Sequence, residues 1–334
     1  MEDHTQNEAV DQTPFYKRKA FIYLSVACIV LIVTGIAALF HKNYPGVKFK
    51  DFAAELMNLD MPPGGRRATL TLASGETIVL NEAADGELGE EAGLRIRKTG
   101  NGQLKYEQGV LTSENDESGF HTIATPKGGT YQVILADGSV IWLNAASKLK
   151  LPLDFGSTKE RVIELAGEAY LEIAKDTSRP LKVITKRQIV QALGKDLNVS
   201  DYPDDFMATA TAFDGTLRVK AVDINASSPA ELTLKTGQQA IVDEGSIRSL
   251  KADTAEVRAW KNDLFVFNSE PLESIMKKIS RWYDVDVVYD AVDPKMLFKV
   301  KISRMEQLSE ILRQLELAGG IHFKLEAGKI VVTK

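Results

Sequence analysis

From Ala68 onward apolar and polar residues alternate, broken by glycine turns: Ala68-Thr-Leu-Thr-Leu72, a turn at Ser74-Gly75, then Thr77-Ile-Val-Leu80. A period of two sends alternate side chains to opposite faces, so this stretch reads as a half-buried β-hairpin. The phrase LTLASGETIVLNEAA (70–84) returns 63 residues later as VILADGSVIWLNAAS (133–147), matching at Leu72/Leu135, Ala73/Ala136, Gly75/Gly138, Ile78/Ile141, Leu80/Leu143 and Asn81/Asn144. A recurring strand-turn-strand unit suggests stacked hairpins. Further strands are expected at Arg161–Leu165, Ala169–Ala174, Leu181–Thr185, Gln188–Leu193, Leu217–Val222, Glu231–Lys235 and Gln239–Val242, between Gly, Pro, Asn and Asp punctuation. Short strands so spaced argue for an all-β sandwich, barrel or solenoid-like stack and against a βαβ enzyme fold.

The period changes after Trp260. Leu264–Phe267 reads as a strand, and a helix opens with Ser269 as N-cap and Pro271 in its first turn, carrying Leu272, Ile275, Met276 and Ile279 on one face. Strands follow at Val285–Tyr289 and Leu297–Ile302. A second helix bears Leu308, Ile311, Leu312 and Leu315, stops at Gly319-Gly320, and leads to paired strands Ile321–Leu325 and Lys329–Val332 around Gly328. The order β-α-β-β-α-β-β predicts a small α+β domain.

Near the start the periodicity vanishes. Ala20–Phe40 is a run of 21 uncharged residues, enough to cross a hydrocarbon core about 30 Å thick once as a helix. It is longer than the apolar core of a cleaved signal peptide and exits into His41-Lys42-Asn43-Tyr44, which favours a retained anchor. Lys17-Arg18-Lys19 abuts the span as a block, so the N-terminus is expected inside and the bulk outside. The predicted organisation is a cytoplasmic tail (1–19), a transmembrane helix (20–41), a juxtamembrane linker (42–66) with a short helix at Phe49–Leu59, an all-β domain (67–255) and the α+β domain (256–334).

Composition adds little to this picture. Of 334 residues, 44% are hydrophobic and 26% charged, which suits folded soluble domains beyond the anchor. A net charge of −5 without a basic, aromatic-laced patch gives no sign of nucleic-acid binding. The single cysteine, Cys28, lies within the span, so no disulfide framework exists outside it.

Over residues 68–334 the chain resembles the periplasmic part of FecR-like transmembrane regulators, the anti-sigma factors of cell-surface signalling. The resemblance rests on Thr125-Pro-Lys-Gly-Gly-Thr-Tyr-Gln-Val, on Leu135-Ala-Asp-Gly-Ser-Val-Ile-Trp-Leu-Asn-Ala-Ala-Ser147, on Arg161-Val-Ile-Glu-Leu-Ala-Gly-Glu-Ala-Tyr-Leu-Glu-Ile-Ala-Lys-Asp176 and on Lys235-Thr-Gly-Gln-Gln-Ala240. The last domain is similar to the C-terminal domain of the same family, through Trp260, Phe265-Val-Phe267 and Ile279-Ser-Arg-Trp-Tyr-Asp-Val285, and hence to the short N-terminal signalling domain of secretins and TonB-dependent receptors.

The resemblance implies a relay in the inner membrane, with the bulk of the chain in the periplasm. The outer region would sense the signalling domain of a TonB-dependent outer-membrane receptor, and the inner segment would control an extracytoplasmic-function sigma factor. It also implies that partner engagement exposes the chain to stepwise proteolysis near the membrane. Family members usually hold the sigma factor with a folded helical cytoplasmic domain, where this chain offers Met1–Lys19. The alternative reading is a membrane-tethered binding module for a glycan or another envelope component.

No enzyme is expected, because no G-x-S-x-G elbow, Cys–His pair or phosphate-binding glycine loop is present. No cofactor is expected either. Glu164, Glu168 and Glu172 would form a carboxylate row on a helix, but Gly167 and the β-branched or aromatic neighbours favour a strand, with Glu168, Tyr170 and Glu172 sharing a solvent face. Asp201, Asp204 and Asp205 around Tyr202-Pro203 read as a turn before a calcium loop. His4, His41, His121 and His322 lack metal-ligand spacing. The candidate partner-binding residues are Arg281, Trp282 and Tyr283, at the end of the first helix of the last domain. Trp282 is open to two readings, a core anchor beside Val285 and Val287 or an interface anchor.

Overall fold

The structure, a computed structural model, describes residues 60–109, 119–155, 160–176, 178–222, 230–243, 245–326 and 328–334. The expected tail, membrane span and Phe49–Leu59 helix lie outside the described residues. Among the described residues no helix is long and apolar enough to cross a membrane.

Among the described residues from Ala68 to Lys251 every regular element is a strand, and the strands are arranged mostly as hairpins dealt alternately to two layers. In one layer the hairpin of Leu181–Ile184 and Gln188–Ala192 is extended by the hairpin of Leu217–Ala221 and Glu231–Leu234. In the other, Asp196–Asp201 and Ala208–Asp214 are extended by Gln238–Asp243 and Ser246–Lys251. Alternation fixes this arrangement, because every second residue (Val183, Val190 and Val219 in one layer, Val199, Ala210 and Ala240 in the other) is fully buried in a common core. A one-residue slip would turn each set to solvent.

The sequence repeat is a structural repeat. In the first copy Leu70 faces Ile78 and Thr71 faces Thr77; in the second Val133 faces Ile141 and Ile134 faces Val140. The turns match as well: the amide of Leu72 donates to Glu76 O at 2.8 Å and that of Leu135 to Ser139 O at 2.8 Å. Gly75 (φ 90°) and Gly138 (φ 84°) supply the left-handed turn residue in each.

One strand joins the layers. Arg161–Leu165 and Ala169–Ala174, expected as two strands, form a single strand Arg161–Glu172. Its first half pairs with Lys148–Pro152 and Leu181–Ile184, and its second half with Val140–Leu143 and Asp196–Asp201. The hinge between them is Gly167, at φ 99° against the backbone of Ser147, where a β-carbon would collide.

After helix α1 (Thr254–Arg258), capped by the Asp253 carboxylate, and a 3-10 turn (Ala259–Asn262), the last domain follows the expected β-α-β-β-α-β-β order. Strand Leu264–Pro271 pairs with Leu297–Ser303, and Asp286–Tyr289 pairs with Lys329–Thr333, which pairs with His322–Glu326. Leu272, Ile275, Met276 and Ile279 of helix α2 (Leu272–Tyr283) and Leu308, Ile311, Leu312 and Leu315 of helix α3 (Leu308–Gly319) all face a second core. Gly320, at φ 63°, ends α3.

Ser269 does not cap α2. It sits at φ 59° beside a bulge in the strand, and Pro271 immediately precedes the helix. The free amides of the first turn are satisfied instead by main chain, Leu272 N to Met296 O and Glu273 N to Pro294 O, both at 2.8 Å.

Candidate functional site at the seam of the two cores

Helix α2 ends with Asp284 in the left-handed conformation, and its last turn delivers Arg281, Trp282 and Tyr283 to the seam between the β stack and the last domain. All three are buried. Arg281 reaches into the β stack, with Nη1 3.0 Å from Asp204 Oδ2 and 3.2 Å from Asp205 Oδ1, and its guanidinium lies 3.9 Å from the centroid of the Tyr202 ring. Its carbonyl accepts the amide of Gly128 at 2.7 Å.

Trp282 is a core anchor. Its Nε1 donates to Arg304 O at 2.8 Å, and the Arg304 guanidinium covers its ring at 3.8 Å. Tyr283 donates its hydroxyl to Glu306 O at 2.7 Å. The structure thus brings the three candidates together as an internal seam, and their side chains offer no free surface to a second protein in this conformation.

Residues 60–66, expected to be linker, belong to the fold. Asp60 accepts from the amide and hydroxyl of Ser309 at the start of α3, and Met61 O accepts the amide of Leu308. Gly64 lies against the Trp282 indole so closely that a β-carbon there would come within 2.6 Å of the ring. Gly65–Arg66 then pairs in parallel with Gly129–Thr130. The Pro-Pro-Gly-Gly run therefore forms a strap across the seam, and its glycine admits the tryptophan.

A polar network closes the same seam. Glu168 accepts from Asn144 Nδ2 at 2.7 Å and Asn198 Nδ2 at 3.0 Å; Asn198 Oδ1 accepts from Trp260 Nε1, and Asn144 Oδ1 from Arg304. Burial pushes Arg304 down to about 10, which still leaves it charged at neutral pH. The solvated face expected for Glu168, Tyr170 and Glu172 is in fact covered. Tyr170 is buried beneath Lys261, whose ammonium lies 4.3 Å from its ring and 2.6 Å from Glu172. No local pattern around Tyr170 announces this cover, because it comes from a 3-10 turn distant in the chain.

The other candidate clusters are internally satisfied. Asp201 pairs with Arg187 at 2.6 Å, and Asp204 and Asp205 with Arg281, so arginines take the place a calcium ion would have had. Glu164 lies 3.3 Å from Lys150. His121 is buried with Nε2 2.8 Å from Glu91, and burial lowers its pKa despite that carboxylate. Among the described residues no group of three or more His, Cys, Asp or Glu side chains could hold a metal ion.

Between the outer face of the β stack and α1, α2 and strand Leu264–Pro271 lies a cleft of about 540 Å³. Ser200, Thr209, Gln239 and Leu250 form its floor, and Phe206, Met207 and Glu256 also line it. Sequence reasoning missed these residues, since they come together from five separate segments.

Two families of sequence meet across this seam. A FecR protein model matches residues 121–219, and a model of the FecR C-terminal region matches residues 264–332. The chain belongs to the FecR family. Two crystal structures described as a candidate anti-sigma factor from Parabacteroides distasonis are similar to this FecR-like chain at 27% identity, with TM-scores of 0.59 and 0.58. Each similarity covers 64% of this chain, and 99% and 98% of the respective crystal chains. No curated protein sequence matches the chain.

Proposed function

We propose that this FecR-family chain is an anti-sigma regulator, anchored in the inner membrane by Ala20–Phe40 with its bulk in the periplasm. The observation that carries the reading is the near-complete coverage of the Parabacteroides distasonis chains together with both FecR matches in order. Its partners are an extracytoplasmic-function sigma factor on the inner side and the signalling domain of a TonB-dependent receptor on the outer side.

The last domain supplies a docking element for such a receptor domain. In its three-stranded sheet, Lys329–Thr333 is central, and His322–Glu326 lies at an edge, where the Phe323 amide donates to Glu316 Oε1 at 2.8 Å and no further strand pairs with it among the described residues. An open edge can accept a strand from a partner, with main-chain bonds giving affinity and alternate side chains giving selection.

The test is affinity purification of the tagged full-length chain from its own membranes, followed by mass spectrometry. A sigma factor and a TonB-dependent receptor should be enriched over a tag-only control. Absence of any sigma factor, with the chain intact and its receptor recovered, would refute the anti-sigma reading.

A further inference from the structure

The cleft above the outer face of the β stack has a charge imbalance that its own residues leave uncorrected. Its four cations are all engaged: Lys277 with Glu273 at 3.3 Å and Asp204 O at 2.7 Å, Lys278 with Glu270 at 2.6 Å, Arg281 with Asp204 and Asp205, and Arg304 with Trp260 O and Asn144. Of its carboxylates, Glu168 holds two asparagine amides, Asp205 holds Arg281, Glu273 holds Lys277, and Asp253 caps α1 while accepting from Asn268. Glu256, on α1, is the exception. Its carboxylate has no hydrogen-bond or ion-pair partner among the described residues.

The groups facing Glu256 are Lys278 from α2, Glu270 from the strand Leu264–Pro271, and Asp253 at the start of its own helix. Lys278 is held by Glu270, which is itself buried and keeps its second oxygen without a partner. Burial, with Glu270 and Asp253, pushes Glu256 up to about 7 against the pull of Lys278. Of the groups already present only Lys278, itself held by Glu270, favours the charged form of this half-buried carboxylate, and an incoming cation would stabilise it further.

Three apolar side chains stand exposed along the cleft among charged ones, with the Lys277 ammonium 4.6 Å from the centroid of the Phe206 ring. Phe206 is 75% exposed, Met207 41% and Leu250 40%. The floor residues Ser200, Thr209, Gln239 and Leu250 come from four neighbouring strands, a width of about 14 Å at the usual inter-strand spacing. That width matches about four residues of extended chain, and the hydroxyls of Ser200 and Thr209 can meet main-chain groups.

We propose that this cleft binds an extended peptide segment in which a lysine or arginine, placed against Glu256, is flanked by apolar side chains that pack on Phe206, Met207 and Leu250. Charge complementarity selects the basic residue, and the exposed rim selects its neighbours. The inference is independent of the sigma-factor reading.

The test uses the full-length chain in detergent and a fluorescein-labelled peptide, Leu-Val-Lys-Leu-Val, with matched peptides carrying acetyl-lysine or glutamate at the centre. The lysine peptide should bind about tenfold more tightly than either of the others. Glu256→Gln should abolish that preference, whereas Phe206→Ala should weaken the lysine and acetyl-lysine peptides alike. Circular dichroism checks that both variants are folded. Affinity for the lysine peptide should rise as pH goes from about 6 to about 8, where Glu256 ionises. Equal affinity for the three peptides, failure of all three to bind, unchanged binding by Glu256→Gln, or competition by maltohexaose but not by unlabelled lysine peptide would overturn the proposal.

Discussion

Arg281 lies over the ring of Tyr202 at 3.9 Å while the same guanidinium holds the carboxylates of the two aspartates that follow Pro203. One side chain of the last domain thereby fixes the conformation of a turn in the β stack. Stacking and bidentate reach both require the planar fork, which an ammonium lacks.

Arg281→Ala should therefore cost about 1–2 kcal/mol, since it removes a buried guanidinium and its ring contact, while Asp204 and Asp205, 54% and 28% exposed, can turn to water. Arg281→Lys should recover less than half of that loss. Urea denaturation followed by far-UV circular dichroism measures both. A loss below about 0.5 kcal/mol for the alanine variant would place this contact among surface ion pairs.

Gly167→Ala should destabilise the β stack by more than about 2 kcal/mol, because the hinge combines positive φ with a collision against Ser147. Gly138→Ala tests the conformational part alone, since its β-carbon would meet open space. Thermal melts should rank Gly167→Ala well below Gly138→Ala.

Glu256 predicts an unusual pH profile. Burial pushes its pKa in the folded chain up to about 7, above the ordinary glutamate value of about 4.3, so between those values the folded chain binds more protons than the unfolded one and stability falls as pH rises. Glu256→Gln should flatten that fall and raise stability near pH 8 by roughly 1 kcal/mol, allowing for solvent screening of a half-exposed group. Melts across pH 5 to 8 for both proteins decide the matter, and parallel profiles would contradict it.

Trp282→Ala should cost about 3–5 kcal/mol as a large cavity in the second core. It should also raise amide exchange at Gly64 and Gly65, which Trp282 and Gly128 hold in place. Phe at the same position should keep the strap protected while losing the bond to Arg304 O. Unchanged exchange at Gly65 in the alanine variant would show that the strap is held by its strand pairing alone.

The repeat at 70–84 and 133–147 carried its own geometry, because alternation and a left-handed glycine specify both register and turn. The helices of the last domain were equally legible, since Leu272, Ile275, Met276 and Ile279 repeat at helical spacing. Strands Leu94–Lys98 and Leu104–Gln108, which the sequence reading does not place, carry the same period of two, with charged residues between the buried Leu94, Ile96, Leu104 and Tyr106, so their pattern too was legible. The seam was the least legible part. Arg281 and Trp282 stood out by residue type, but Arg304, Asn144 and Asn198 meet only after folding, and no local pattern marks them.

The strap from Asp60 to Arg66 sets an order of mechanical failure. Tension arriving along the chain at Asp60 first loads Ser309 and Leu308 at the start of α3, next the contact of Gly64 with Trp282, and only then the short pairing of Gly65–Arg66 with Gly129–Thr130. The contacts with the last domain thus lie ahead of the β stack on the path of a pull from that side, and the strap would peel from α3 and Trp282 before its strand pairing is loaded.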